Sequence, residues 1–181
     1  MPSMEMTEPD KSKVVLVDEN DNEVGTEDKL KAHLGDGKLH RAITVLIFDE
    51  SNKILITQRS SKKLLWPLYW ESSCSTHPYP GESYEECAKR RIKEELNITD
   101  IKDLKLITKF LYKEKYKDIG TEYELCALLT CKTTQPPKPL PEEVSAFEFL
   151  SLEEIKSEIK NRKRPFAPWF ILAIERIQQN F

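Results

Sequence analysis

The side chains best suited to chemistry are His33, His40 and His77, the only histidines in the chain, and the acids Glu122 and Glu124. The two acids alternate in TEYELCALL. In a strand they point to the same face, about 7 Å apart. Neighbouring carboxylates repel unless a cation or solvent relieves them. Three neutral imidazoles and two carboxylates form a complete ligand set for a divalent ion. The plain alternative is an exposed edge strand with solvated acids and histidines used for packing. Spacing does not choose between the two, because convergence depends on the fold.

A second stretch, ESSCSTHPYPGE, places Cys74 three residues and Ser75 two residues before His77. Thiol and hydroxyl are both candidate catalytic groups, and neighbours in an extended segment point apart, so only one can face a given site. Downstream, RRIKEEL carries Arg90, Arg91, Glu94 and Glu95. On a helical wheel Glu95 lies beside Ala88 and Ile92, at the edge of the apolar stripe. A carboxylate there suits Mg²⁺, which binds through one or two carboxylates plus substrate phosphates. The competing reading is Arg91–Glu95 pairing at i,i+4. Lys29, Arg59, Lys62 and Lys63 supply cations for an anionic ligand, or a solvated face. Aromatics concentrate in LLWPLYW and RPFAPWF, as core or as rings able to stabilise a cation.

These residues need a scaffold. Residues 13–18 (KVVLVD) followed by ENDNEVG read as a hairpin. Residues 40–49 form an almost continuous apolar run, suited to a strand buried on both faces, and ILITQRS is its partner. Residues 62–69 contain WP and read as loop. The clearest helix spans residues 83–96, with Ser83 and Glu86 as a capping box and Ala88, Ile92 and Leu96 on one stripe. Residues 104–112 and 122–130 are strands, QPPKPLPEE is a surface connection, and residues 152–160 and 169–179 are helices. Strands and helices mix without regular βαβ alternation, which predicts an α/β sandwich around a mixed sheet.

The chain of 181 residues is long enough for one domain with a sizeable core, expected over 13–181 behind a disordered tail at 1–12. Its 39% hydrophobic and 33% charged residues describe a globular protein without an apolar run that could span a membrane. The first residues lack a signal-peptide core, so Cys74, Cys87, Cys126 and Cys131 read as reduced cytoplasmic thiols. A net charge of −3 argues against general nucleic-acid binding.

Gly81-Glu82-Ser83 through Arg90, Glu94 and Glu95 resembles the Nudix box. A Nudix hydrolase would carry Glu at 91 and Gly at 97, where this chain has Arg91 and Asn97. With KLKAHLGDGKLHRA, QRSSKKLLWPLYWESSCSTHPYPGE, EYELC and APWF, the chain is similar to the type 1 isopentenyl-diphosphate isomerases, a Nudix-fold family, over residues 14–177. The resemblance implies an α/β/α sandwich (α+β) and a metal-assisted 1,3-allylic proton shift between isopentenyl and dimethylallyl diphosphate. It puts Mg²⁺, Mn²⁺ or Zn²⁺ on His33, His40, His77, Glu122 and Glu124, and a diphosphate-bridging Mg²⁺ on Glu95. It makes Glu124 the proton carrier assisted by Tyr112, Trp169 the shield over a cationic intermediate, and Lys29, Arg59, Lys63 and Arg91 the diphosphate partners. The expected partner is a small prenyl diphosphate, with no nucleic acid or membrane, for a cytoplasmic monomer or weak homodimer.

The family's usual Cys-x-His-Pro pattern falls here on Ser75, with Cys74 one residue earlier. Register anchored on His77 favours Ser75 at the active face and Cys74 packing behind it. The departure leaves three readings open: a rethreaded loop presenting Cys74, a serine-assisted isomerisation, or another diphosphate reaction. A Nudix pyrophosphohydrolase acting on nucleoside or prenyl diphosphates, and a non-catalytic prenyl-diphosphate binding protein, are the alternative functions.

Overall fold

The computed structural model describes residues 10–179. In chain order its elements are β1 (Lys13–Val17), β2 (Glu23–Asp28), α1 (Lys29–His33), β3 (His40–Phe48), β4 (Ile54–Arg59), β5 (Trp70–Glu71), β6 (Cys74–Thr76), α2 (Tyr84–Leu96), β7 (Lys102–Tyr116), β8 (Gly120–Lys132), β9 (Val144–Leu150), α3 (Leu152–Lys160) and α4 (Pro168–Gln178). Of the expected tail, residues 1–9 lie outside the described residues. Residues 10–12 lead into β1 through a turn in which Asp10 accepts from the Ser12 backbone and hydroxyl.

β3 is the axis of the sheet. It runs parallel to β8 over nine register pairs, from His40↔Glu124 to Phe48↔Lys132. It is antiparallel to β6, and meets β1 at Leu16↔His40 and β4 at Phe48↔Ile54. The antiparallel pairs β1–β2, β4–β9, β4–β5 and β7–β8 complete a mixed sheet. Because strand side chains alternate, Ala42 and Leu46 enter one core with Cys126, Leu128, Phe170 and Ile174. Ile43, Val45 and Ile47 enter a second core with Ala88, Ile92 and Leu96. The apolar run at 40–48 is therefore a strand between α3/α4 on one face and α2 on the other. Full burial of each such aliphatic side chain contributes about 1.5–3 kcal/mol.

Local signals account for the helices. Ser83 and Glu86 close a capping box at α2, which ends at Asn97 in the left-handed region (φ 54°). Ser151 and Glu154 form a second capping box at α3. The strands expected at 104–112 and 122–130 are longer, since β7 and β8 form one extended hairpin. The sequence reading did not anticipate α1, β5, β6 or β9. α1 has only five residues, held by the Asp28 N-cap. Its approach to β8 depends on Gly120, where a Cβ would lie 2.7 Å from the His33 carbonyl oxygen.

The β1–β2 turn is fastened to three other elements through Asp21. Its carboxylate accepts from Arg41 Nε at 2.7 Å, Lys109 Nζ at 2.6 Å and the Tyr84 hydroxyl at 2.9 Å. Burial alone would raise the Asp21 pKa, but the Lys109, Arg41 and Tyr84 hydrogen bonds outweigh it and hold the carboxyl below its usual range. A depressed folded-state pKa contributes stability above the unfolded value that disappears as pH falls through the folded one. Asp21→Asn is expected to cost about 2 kcal/mol at pH 7. Denaturant unfolding midpoints of the two proteins should converge as pH drops below about 4.

Candidate active site

Parallel pairing of β3 with β8 places His40 directly across from Glu124, and Glu122 follows on the same face of β8. α1 delivers His33 from the N-terminal side, and the segment after β6 delivers His77. One donor atom from each of these five residues lies within 4.8 Å of all the others. The imidazole centroids are 4.6–5.1 Å apart. Glu122 and Glu124 are 7% and 5% exposed, so the exposed edge strand with solvated acids does not hold: β8 is flanked by β3 and β7.

Backbone carbonyls fix two of the rings. His33 Nδ1 donates to the Lys29 carbonyl at 2.6 Å, and His40 Nδ1 donates to the Lys38 carbonyl at 2.7 Å. A carbonyl can only accept, so each Nε2 is left facing the cluster; this outer support is the arrangement that orients metal-ligating imidazoles. His40 is fully buried and its Nε2 has no hydrogen-bond partner. That orphaned atom, with mixed nitrogen and carboxylate donors around it, fits a divalent ion and does not distinguish Mg²⁺, Mn²⁺ and Zn²⁺.

The charges show what now balances the acids. Burial pushes His33 down, but the Glu122 hydrogen bond (3.0 Å) and the Glu122 and Glu124 charges raise its pKa to about 9. Burial, reinforced by His40, Lys29 and His33, holds His77 well below the usual imidazole range. Burial would raise Glu124, yet the neighbouring Glu122, the His40 ring 3.4 Å away and the Tyr112 hydrogen bond lower it to about 2. Tyr112 OH donates to Glu124 Oε2 at 2.6 Å, and burial together with the Glu124 charge keeps the phenol protonated.

A cavity of about 450 Å³ opens beside this cluster, with Ser75, His77, Tyr112, Glu122, Glu124 and Trp169 in its wall. Lys29, Arg59, Lys63 and Arg91 also line it. Burial lowers the Lys29 pKa, helped by the charges of Lys63 and Arg91, a crowding of cations that an anion would relieve. Lys62, in the same run, is exposed and does not line the cavity.

Two sequence candidates stand apart. Cys74 is 1% exposed and packs in the α2-side core, opposite Val45, while Ser75 pairs with Thr44 and reaches the cavity. Strand alternation turns Cys74 away from the cavity, on the side that register anchored on His77 predicts for it, and burial raises its thiol pKa well above the ordinary value. Glu95 is buried but lies outside the five-residue cluster and the cavity lining. It is engaged by Arg91, which also reaches Glu94 at 2.8 Å and Glu143 at 3.5 Å.

Sequence reasoning missed Glu71 and Glu143. Glu143 accepts from Lys63 and tethers that cation near Arg91. Glu71 is 7% exposed, and its two oxygens take Arg59 NH1 at 3.1 Å and Trp169 Nε1 at 2.9 Å. Arg59 additionally donates to the carbonyls of Leu65 and Trp66, fastening the 62–69 loop. A carboxylate directly before a Ser pair carries no recognisable pattern. Its role appears only when α4 brings Trp169 alongside.

The fold and the site define a Nudix protein, and the NUDIX domain family matches residues 38–170. Within it, the chain belongs to the isopentenyl-diphosphate Delta-isomerases. It is 44% identical to Isopentenyl-diphosphate Delta-isomerase 1 of Photorhabdus laumondii, over 92% of this chain and 95% of that protein. It is 35% identical to the Isopentenyl-diphosphate Delta-isomerase of Haloarcula marismortui, over 93% and 92% of the two chains. A solved Deinococcus radiodurans structure shares the fold, with a TM-score of 0.73 at 21% identity over 89% of this chain and 96% of the other.

Two outcomes test the site. His40→Ala is expected to weaken binding of one Mn²⁺ or Zn²⁺ per chain by at least about tenfold in titration calorimetry, with binding-linked proton release falling as well. Glu71→Gln keeps one acceptor for two donors, so Arg59 or Trp169 loses its partner; unfolding free energy should fall by about 3 kcal/mol, read from denaturant melts.

Proposed function

We propose that this protein interconverts isopentenyl and dimethylallyl diphosphate. The observation that carries the reading is the five-ligand cluster, whose Glu124 is hydrogen-bonded to Tyr112 in a cavity that also presents four cations. Lys29, Arg59, Lys63 and Arg91 would hold the diphosphate, and the hydrocarbon would lie against Trp169 and Ile43. A divalent ion on His33, His40, His77, Glu122 and Glu124 would supply positive charge that keeps Glu124 ionised and fixed. Mg²⁺ would accompany the diphosphate, with Glu95 its candidate ligand once Arg91 turns to the phosphates.

In the reaction, the terminal alkene carbon gains a proton and a tertiary cation forms. Loss of a proton from the neighbouring methylene then moves the double bond, so protons balance overall. Glu124 and Tyr112 serve as the proton-carrying pair, and Ser75 is the facing group on the β6 side. Trp169, 3% exposed and T-shaped against Trp66 at 5.3 Å, would shield the cation from water.

The pyrophosphohydrolase alternative is not favoured. Arg91 sits between Glu94 and Glu95 and neutralises the acids a hydrolase would need for its metals. The domain is proposed to run from residue 13 to 181, in a cytoplasmic monomer or weak homodimer; the four cysteines are unpaired and buried. Among the described residues no helix is long and apolar enough to cross a membrane.

Isopentenyl diphosphate incubated with the protein and Mg²⁺, Mn²⁺ or Zn²⁺ should give dimethylallyl diphosphate, detected by chromatography with mass spectrometry. Glu124→Gln should lower kcat by about 10²-fold or more. Ser75→Cys should raise it by a similar order, whereas Cys74→Ser changes it less than about twofold. No product from folded protein with any of the three ions refutes the reading.

A further inference from the structure

Behind Ser75 lies a closed triangle of hydroxyls. Thr44 Oγ1 donates to Ser72 Oγ at 2.7 Å and lies 2.8 Å from Ser75 Oγ, while Ser72 and Ser75 are 2.6 Å apart. Thr44 and Ser72 are both 0% exposed; Ser75 alone of the three lines the cavity. The triangle is held from outside. Thr57 Oγ1 donates to the Ser72 carbonyl at 2.8 Å, and β3–β6 pairing sets Thr44 opposite Ser75.

Three hydroxyls carry three protons, and the three short contacts use all of them when each hydroxyl donates once around the ring. With Thr44 donating to Ser72, the circuit continues from Ser72 to Ser75 and from Ser75 back to Thr44. Ser75 then spends its proton inward, accepts one hydrogen bond, and keeps its remaining lone pair for the cavity. Such closed networks polarise their members cooperatively and fix hydroxyl rotors that would otherwise turn freely. Ser72 also lies 3.3 Å from the Cys74 carbonyl, a longer contact that competes weakly for its proton.

We propose that Ser72 and Thr44 are positioning residues that hold the Ser75 hydroxyl in one rotamer, with a lone pair turned toward the cationic intermediate to stabilise its charge, while the proton given to the alkene and the proton lost from the methylene both pass through the Glu124–Tyr112 pair. The proposal rests on the isomerase reading above and deepens it: a serine at this point is made useful by two buried hydroxyls that a thiol would not require.

A double-mutant cycle tests this. Ser72→Ala and Thr44→Val are each expected to lower kcat about tenfold while KM changes less than about twofold, the effect of losing one orienting hydrogen bond. Thr44→Ser, which keeps the hydroxyl, should restore most of the rate. In a Ser75→Cys background Ser72→Ala and Thr44→Val should have less than about twofold effect. Melting temperatures identify any variant that fails to fold, and the other of the pair then decides. Equal losses in both backgrounds, a change confined to KM, or no loss at all would overturn the positioning role while leaving the isomerase reading intact. Absence of turnover in both the unmodified protein and Ser75→Cys would overturn that reading and this inference together.

Discussion

Two glutamates side by side on an interior strand of a sheet are the constraint around which the molecule is arranged. Glu122 and Glu124 are both buried, and two uncompensated carboxylates in that position would cost several kcal/mol. Compensation comes from four directions: His33 on Glu122, and His40, His77 and Tyr112 on Glu124. Each compensating group belongs to a different element, so α1, β3, the segment after β6, and β7 must all be in place at once. The acids are thus a test that only the complete tertiary structure passes, and a divalent ion would satisfy them more fully than a proton on His33 does.

The scaffold that meets this demand is rigid because β3 is packed on both faces. Its odd residues are locked by α2 and its even residues by α3 and α4. One face of the strand changes character along its length: His40 and Thr44 serve the site, whereas Ala42 and Leu46 serve the core. That interleaving holds the ligands close to fixed positions, since a ring anchored between immobile aliphatic neighbours has few rotamers to explore.

Elements with repeated local signals were legible in the sequence. The β3 run, α2 with its capping box and α4 each recur over nine or more residues. α1 has five residues and β6 three, too short to display any period. β9 was missed because VSAFEFL has only its end residues buried, a pattern without clean alternation. The five-ligand cluster was legible through family resemblance, since spacing could not show that residues 33 and 122 meet. Glu71, Glu143, Ser72 and Thr44 left no trace because hydrogen-bond partners of a site are chosen by contact across the fold.

Arg91 shows how one substitution reorganises a shared architecture. A Nudix box gathers acids on one helix edge, and like charges there need cations from solution. Here the guanidinium supplies that charge internally, bridging Glu94, Glu95 and Glu143 while still lining the cavity. In the proposed reading the helix edge offers Arg91 to the anion and leaves Glu95 as the acid available to an accompanying Mg²⁺. The His/Glu cluster proposed above to hold a divalent ion lies elsewhere, with His40 on β3 and Glu122 and Glu124 on β8, beside the part of the cavity wall where Tyr112 and Trp169 stand. Separating anion capture from proton movement suits a reaction that leaves the diphosphate intact. For such a reaction the phosphate end needs only positioning, and the polarising charge belongs at the alkene.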